Sequence, residues 1–209
     1  MANQTPEISK KLEKRLGEIA SKFPTAEISR DRMIDYVCIT TNPDSLHDVM
    51  LEIASWDDIP MNYLRCITAV DQLTHIEVVY FLTNIPCGDR LAVTTSCQRN
   101  EGTVPSVVDI WDTALFQERE VFEFFGVNFD GHPDLRRLLT PEQYTGFPLL
   151  KDYPKGGDPD DLIAVDAYLP DGWIEKQKIE KEQLAKWLQD EIAKRQGKTD
   201  SAGKSDSKN

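Results

Sequence analysis

Three segments with the composition of β-strands follow one another closely, and this succession limits the folds open to the chain. They span residues 64–69, 76–83 and 91–97, where β-branched and aromatic residues are frequent. The connections are short and either polar or glycine-containing, as in Pro86-Cys87-Gly88-Asp89. This arrangement favours strands that lie side by side in one small sheet.

A fourth strand and an amphipathic helix precede these segments. Residues 35–41, Asp-Tyr-Val-Cys-Ile-Thr-Thr, are typical of a strand. Asn42-Pro43-Asp44 then supplies an N-cap, a proline at the first helical position and an acidic residue near the helix start. Apolar residues follow at helical spacing: Leu46, Val49, Met50 and Ile53. The sequence therefore predicts an α+β fold, with helices on one face of a small mixed or antiparallel four-stranded sheet.

Three further helices are predicted from apolar periodicity and from helix-end signals. The first begins at Thr5-Pro6-Glu7 and ends before Pro24. The second starts near Ser106 and ends at Gly126, and Asp112-Thr113 is a candidate N-cap that would divide it into two helices. The third spans residues 174–195 and has a charged side opposite an apolar one.

The remaining segments lack the signals of regular structure. Residues 131–172 are rich in proline and glycine, so we expect them to run extended over the surface and to be available to a partner. From residue 197 onward the composition predicts disorder. The predicted division is an α+β core at 1–130, an extended partner-binding segment at 131–172, a C-terminal helix at 173–196 and a disordered tail at 197–209.

Composition excludes several classes of protein. The chain has 209 residues, enough for one core-forming domain, and its net charge of −12 argues against general nucleic-acid binding. The longest apolar runs, such as Val78-Val79-Tyr80-Phe81-Leu82, are far below the roughly 20 residues of a membrane helix. The N-terminus has neither a secretory nor a transit pattern, so we expect the chain to remain in a bacterial or archaeal cytoplasm.

The four cysteines, Cys38, Cys66, Cys87 and Cys97, are widely separated and include no CxxC pair. Zinc and iron–sulfur sites need closer ligand spacing, so we expect free thiols and no metal. Nucleotide-binding and nucleophile-elbow motifs are also absent from the sequence.

Candidate chemistry is concentrated between residues 118 and 137. Glu118 and Glu120 point about 200° apart on a helix, which disfavours a two-carboxylate active site. We expect instead that one of these glutamates holds Arg119, or a later arginine, in a buried or interface ion pair. His132 lies between Gly131 and Pro133, which indicates a turn in which the imidazole binds backbone groups.

Basic residues are concentrated beyond this helix in an otherwise acidic chain. They are Arg136, Arg137, Lys151 and Lys155, and Asp134 and Asp152 lie beside them. Solvated surface charge is one interpretation. The other is a contact that recognises carboxylates, because guanidinium groups suit carboxylates and are enriched at interface hot spots.

Residues 118–139, Glu-Arg-Glu-Val-Phe-Glu-Phe-Phe-Gly-Val-Asn-Phe-Asp-Gly-His-Pro-Asp-Leu-Arg-Arg-Leu-Leu, resemble the signature of the 30-kilodalton (NuoC-type) subunit family of respiratory complex I. The resemblance continues in Gly146-Phe147-Pro148-Leu149 and Lys151-Asp152-Tyr153-Pro154, and it extends upstream to about residue 60. Two positions depart from the family pattern: Leu150, where arginine is usual, and Glu123, where aspartate is common. The family-motif and interface residues are Glu118, Arg119, Glu120, Gly126, Gly131, His132, Pro133, Asp134, Arg136, Arg137, Lys151, Asp152, Tyr153 and Pro154.

The resemblance implies a non-catalytic subunit in the peripheral arm of NADH:quinone oxidoreductase, on the cytoplasmic side of the inner membrane. Such a subunit holds no cofactor, whereas the complex contains FMN, iron–sulfur clusters and quinone. It braces the NuoD-type subunit near the quinone site, alongside other peripheral-arm subunits. The extended segment suits this role because it can wrap a partner and become ordered on binding.

Other functions remain open at this stage. Related membrane complexes with homologous subunits use ferredoxin, a deazaflavin or hydrogen as the electron donor. Outside the resemblance, the alternatives are a stand-alone adaptor that binds through the C-terminal helix and a free-standing soluble enzyme, such as a hydrolase, that uses Glu118, His132 and Asp134.

Overall fold

The computed structural model describes residues 9–30, 32–33, 35–141, 144, 146–154 and 173–202. The chain forms two compact units, Met1–Thr140 and Pro141–Asn209. The elements of the first unit are α1 (Lys10–Lys22), β1 (Glu27–Ser29), β2 (Val37–Thr41), α2 (Pro43–Ala54), β3 (Tyr63–Asp71), β4 (His75–Thr83), β5 (Arg90–Gln98), β6 (Thr103–Pro105), α3 (Ala114–Phe125) and β7 (Asn128–Asp130). The second unit contains the helix α4 (Trp173–Ala202).

The main sheet has five strands in the order β1-β2-β5-β4-β3. All pairs are antiparallel except β2 and β5, which are parallel, so the sheet is mixed. The predicted α+β class is confirmed, and β1 adds a strand to the four that were expected. The other two short strands, β6 and β7, form a parallel pair of their own.

The core lies against one face of this sheet. Ile76, Val78, Tyr80 and Leu82 of β4 are fully buried, and their register partners on β5 include Val93 and Leu91. One side of each of the first two helices is buried as well: Leu12, Leu16 and Ile19 in α1, and Leu46, Val49, Met50 and Ile53 in α2. α2 packs against β5 and β6. The helical periodicity of the sequence therefore identifies the core-facing sides of α1 and α2 correctly.

The opposite face of the sheet carries a smaller apolar cluster. Cys38, Val79 and Ala92 are buried there. Tyr36 and Phe81 pack against them, and the two aromatic rings meet each other edge to face. Such edge-to-face pairs align the positive edge of one ring with the negative face of the other.

Beside this cluster, Arg32 crosses the sheet and pairs with Glu77 while also donating to the hydroxyls of Thr40 and Thr94. Burying the carboxylate of Glu77 is tolerable because a guanidinium group neutralises it.

Two helices begin at capping residues. Asn42 accepts the Ser45 N–H with its side chain, so the predicted start of α2 is confirmed. In α1 the cap is Ser9, which accepts from Leu12, so that helix begins later than the Thr5 start we predicted. Thr5-Pro6-Glu7 itself lies outside the described residues.

The predicted helix from Ser106 is wrong in its first half. Residues 107–113 form successive turns, with the Trp111 N–H donating to the Val107 carbonyl, and α3 starts only at Ala114. The break that Asp112-Thr113 suggested is real, although Thr113 makes no side-chain cap bond. At the other end Gly126 takes the left-handed conformation, φ 73°, as predicted for a helix C-terminus.

α3 covers part of the free edge of β3. The Gln117 side chain accepts the Ile67 N–H at 2.6 Å, and the Thr113 hydroxyl donates to the Leu64 carbonyl at 3.5 Å. The backbone of β3 is irregular between Leu64 and Cys66, where the register shifts. The helix thus satisfies edge groups that would otherwise face solvent.

The structure places residues 131–140 with the first unit, so the boundary that we predicted at residue 130 falls inside that unit. In the second unit α4 continues to Ala202, which places residues 197–202 in the helix and not in a disordered tail. Residues 155–172 and 203–209 lie outside the described residues. The functional meaning of the four-part division stays a prediction.

All four cysteines carry free thiols, as the spacing predicts. Burial raises the pKa of Cys97 to about 11, which keeps that thiol protonated and unreactive at neutral pH.

Candidate partner-binding site

Glu118 is fully buried on the inner side of α3. Its carboxylate accepts from the Ser106 hydroxyl at 2.6 Å and from the Val107 N–H at 2.8 Å. Burial raises the pKa of Glu118 to about 7, although both hydrogen bonds lower it. Glu118 therefore links α3 to the turns before it. Near neutral pH its carboxyl group is partly protonated and partly ionised.

Arg119, the next residue, is buried and faces a different segment. Its Nε donates to the Arg136 carbonyl and its Nη2 to the Arg137 carbonyl, both at 2.9 Å, and Nη1 lies 4.0 Å from the Asp134 carboxylate. Arg119 is therefore not paired with Glu118 or Glu120, because adjacent helical residues point in different directions. Its charge is instead shared by two carbonyls and Asp134. The other form of the expectation, a pair between one of these glutamates and a later arginine, stays a prediction.

Glu123 binds the backbone that follows. Its carboxylate accepts the N–H groups of Leu138 at 2.6 Å, Leu139 at 2.9 Å, and Thr140. Burial would raise the pKa of Glu123, but the Thr140 hydroxyl and these N–H groups outweigh burial and hold the pKa below its usual range. Glu123 thus stays ionised and fixes three consecutive amides.

His132 binds backbone groups, as predicted from its neighbours. Its Nε2 lies 3.0 Å from the Leu115 carbonyl and its Nδ1 accepts the Asp134 N–H at 3.0 Å. This pattern requires a neutral ring protonated on Nε2. Gly131 precedes it at φ 83°, a left-handed conformation that favours glycine at this turn.

Residues 131–140 are therefore held on α3 by Arg119 and Glu123 and by the ring of His132. We call them the α3-bound loop. Arg136 is exposed on it and binds Asp134 through Nε at 3.0 Å. Arg137 is half-buried and donates to the Glu123 carbonyl and to the Thr140 hydroxyl. Of the predicted interface residues on α3, Glu120 is exposed and Glu118 and Arg119 are not.

The other predicted interface residues belong to the second unit. Lys151 and Asp152 are exposed, Pro154 is buried, and the hydroxyl groups of Tyr153 and Tyr144 are hydrogen-bonded to each other. The residues around them form turns, with the Leu150 carbonyl accepting the Tyr153 N–H.

The geometry does not support the alternative enzyme site. Glu118 binds Ser106 and Val107, His132 binds two backbone groups, and Asp134 pairs with Arg136. Each group is thus engaged with a different partner. A groove of about 470 Å³ is lined by His47, Asp109 and Asp130 among others, but these three are not the residues that the alternative requires. Among the described residues, no three His, Cys, Asp or Glu side chains are grouped to hold a metal ion.

Sequence reasoning missed two parts of this arrangement. Glu123 entered only as a departure from a family pattern, yet it makes more hydrogen bonds to the loop than any of the motif residues we named. Leu139 was recognised as part of the motif but not as a large exposed apolar side chain. The spacing of Glu118 and Glu123, five residues apart on one helix, was the available signal that they serve different segments.

Fold and site define an α+β domain whose surface loop is held in shape by buried charges. The chain belongs to the family described as respiratory-chain NADH dehydrogenase, 30 Kd subunit, whose model matches residues 39–159. The resemblance deduced from the motif is thereby confirmed.

Several relatives are named as subunits of NADH-quinone oxidoreductase. The subunit designated C in Chlorobium phaeobacteroides is 42% identical over 113 residues, which are 53% of this chain and 68% of that protein. Its counterpart of the same designation in Moorella thermoacetica is 36% identical over 138 residues, 65% of this chain and 90% of the relative. In Bacteroides thetaiotaomicron the relative is designated C/D and is 38% identical over 122 residues, and the match spans 53% of this chain and 23% of the relative.

The length covered varies among these proteins. For NADH-quinone oxidoreductase subunit 5 of Thermus thermophilus, 40% identical over 120 residues, the match spans 52% of this chain and 58% of the relative. A solved structure of the archaeal membrane-bound sulfane sulfur reductase contains a similar chain, with a TM-score of 0.59 and 28% identity, covering 76% of this chain and 91% of that one.

Within the described part of our chain, no helix has both the length and the apolar character needed to cross a bilayer.

Proposed function

We propose that this chain is a cofactor-free structural subunit in the peripheral arm of a proton-translocating NADH:quinone oxidoreductase. It braces the NuoD-type subunit near the site of quinone reduction, while FMN and iron–sulfur clusters in other subunits pass electrons from NADH to quinone. It lies on the cytoplasmic side of the inner membrane and contacts the membrane only through the complex. Membership of the 30 Kd subunit family supports the assignment to this complex.

The α3-bound loop is the observation that carries the bracing role. Two buried charges, Arg119 and Glu123, use five backbone hydrogen bonds to hold the shape of an exposed segment. Burying charges is costly unless they are fully bonded, so they serve here to fix a surface rather than to fill a core. A fixed surface that presents Arg136 suits recognition of a partner.

Relatives whose designation combines C and D support the choice of partner. The match to the C/D protein of Bacteroides thetaiotaomicron covers only 23% of that protein, which leaves room for a second subunit in the same polypeptide. Two proteins that are fused in some organisms are commonly neighbours where they are separate.

The first experiment is a native gel of gently solubilised membranes from the organism that carries the chain. Mass spectrometry locates the chain, and the band that contains it is assayed for electron transfer from NADH. We expect a very large band that also contains the NuoD-type subunit and is active with NADH. Recovery only at low mass in the soluble fraction would refute the proposal and favour a stand-alone adaptor or hydrolase.

A charge reversal tests the loop more directly. Arg136→Glu should weaken incorporation into the large band, since it places a negative charge where an acidic partner surface is expected. Arg30→Glu is the matched control, because Arg30 is also an exposed arginine paired with one carboxylate, Glu13. Arg137 is the less specific probe: it donates to the Glu123 carbonyl and the Thr140 hydroxyl, so reversing it would also disturb the loop.

A second candidate is the same structural role in a related complex with another electron donor. The similarity to a chain of the archaeal membrane-bound sulfane sulfur reductase supports this second candidate. Reduced ferredoxin, a reduced deazaflavin and hydrogen are therefore tested on the same gel band. Activity with one of these donors and none with NADH would establish this second candidate in place of the first.

A further inference from the structure

The second half of the α3-bound loop is fixed at its backbone and open at its side chains. Leu139 donates its N–H to the buried Glu123 carboxylate at 2.9 Å, while the residue is 68% exposed. The amides on either side, those of Leu138 and Thr140, bind the same carboxylate. The backbone position of Leu139 is thus set by α3, so little backbone freedom remains to be lost when a partner covers the side chain.

The first half of the loop carries a cation with unused donors. Arg136 is 68% exposed at its side chain and binds Asp134 only through Nε, within the described part of the chain. Its two terminal nitrogens form the planar fork that binds a carboxylate in bidentate fashion. Arg119 holds the carbonyl of the same residue, so the backbone that carries this guanidinium group is fixed as well.

We propose that Leu139 and Arg136 form a preformed docking element for a protein partner whose surface has an apolar recess beside a carboxylate. Leu139 fills the recess and the Arg136 fork binds the carboxylate. The proposal rests on the proposed function, which supplies the partner, and it names the two residues that make the contact. It differs from the expectation that the segment becomes ordered on binding, because residues 131–140 are already fixed within the chain itself.

The chemistry of the element favours a protein over other partners. A chain with a net charge of −12 repels phosphate backbones and anionic lipid surfaces, and Asp130 and Asp134 lie beside this element. One exposed leucine also gives too little apolar area for a lipid surface. An aliphatic anchor next to an arginine is a common composition for the centre of a protein interface.

The first arm of the test measures the preformed state in the purified full-length chain. Amide hydrogen exchange at residues 138–140 is compared between wild type and Glu123→Gln, with Glu120→Gln as the control on the exposed side of the same helix. We expect exchange at these amides to accelerate about tenfold or more in Glu123→Gln, with β4 and β5 still protected. Glu123→Asp keeps the charge and should restore part of the protection. Equal, fast exchange at residues 138–140 in wild type, Glu123→Gln and Glu120→Gln would overturn the preformed element.

The second arm measures binding of the full-length chain to the purified NuoD-type subunit. Leu139→Asp and Arg136→Gln are compared with Ile85→Asp, since Ile85 is 63% exposed in the turn between β4 and β5. All three positions are at the surface, so the fold is retained. We expect the two loop variants to bind about tenfold or more weakly than wild type, and Ile85→Asp to bind normally.

The outcomes separate this proposal from the one on which it depends. If wild type binds the NuoD-type subunit and the loop variants bind as well as Ile85→Asp, the docking element is refuted while the bracing role stands. If wild type does not bind the NuoD-type subunit at all, the proposed function fails and the docking element fails with it.

Discussion

Replacing Glu118 with glutamine should change how the stability of the chain depends on pH. The carboxyl group is fully buried, and burial raises its pKa to about 7 from an ordinary 4.5. Glutamine has nearly the same shape and carries no charge. Its amide oxygen can still accept the Val107 N–H, and its NH₂ group can donate to the Ser106 hydroxyl, so the local structure should persist.

The direction follows from proton binding in the two states. Between pH 4.5 and 7 the folded chain retains a proton on Glu118 that the unfolded chain has released. Raising the pH through this window therefore lowers the free energy of unfolding of the wild type. The pKa difference corresponds to roughly 3 kcal/mol, which the glutamine variant does not lose. Between pH 4.5 and 7.5 the free energy of unfolding of the variant should therefore rise by about 3 kcal/mol relative to that of the wild type.

The assay is urea denaturation of both proteins at half-unit steps from pH 4 to pH 8. Glu123→Gln is the control, because hydrogen bonds hold the pKa of Glu123 below its usual range. The contribution of Glu123 is present above pH 4.5 and is lost as the pH falls through its folded pKa, so this variant should differ from wild type by a constant amount above pH 5. A difference between wild type and Glu118→Gln that does not change with pH would refute the reasoning.

Three further substitutions test the fold. Gly102→Ala places a Cβ 2.1 Å from the Gln98 carbonyl oxygen, so we expect poor folding and a clear loss of the thermal unfolding midpoint; unchanged melting would contradict that close approach. Arg99→Ala leaves the Asp71 carboxylate buried without its bidentate partner and should cost about 3–5 kcal/mol in urea denaturation, whereas a loss below about 1 kcal/mol would mean that Asp71 is compensated elsewhere. Asn42→Ala removes the cap of α2 and should cost about 1 kcal/mol, measured against the exposed control Asp57→Ala.

The long elements of the fold were predictable because their signals are local. β3, β4 and β5 each have nine residues, and α2 has both a capping residue and an apolar stripe. β1, β6 and β7 have only three residues each, too few for an alternating pattern to be recognised. Pairing with a partner strand, and not local sequence, determines these three.

The site was predictable in its location but not in its connections. Its residues could be named from a motif, and the turn at His132 followed from its neighbours Gly131 and Pro133. Which group binds which was not predictable, because Glu118 points away from Arg119 and Glu123, which share one side of α3, and all three meet segments 11 to 18 residues away. Such contacts depend on tertiary packing, which periodicity along one helix does not specify.

The order of the strands has a consequence for how the chain folds as it is synthesised. β3, β4 and β5 are consecutive and antiparallel, so they can pair as soon as they are complete. β2 pairs only with β1 and with β5, and its parallel partner begins 49 residues after the end of β2, at Arg90. Closing such a loop costs entropy that local pairing does not. β1 and β2, which leave the ribosome first, are therefore the last strands to join the sheet. They join it when β2 pairs with β5.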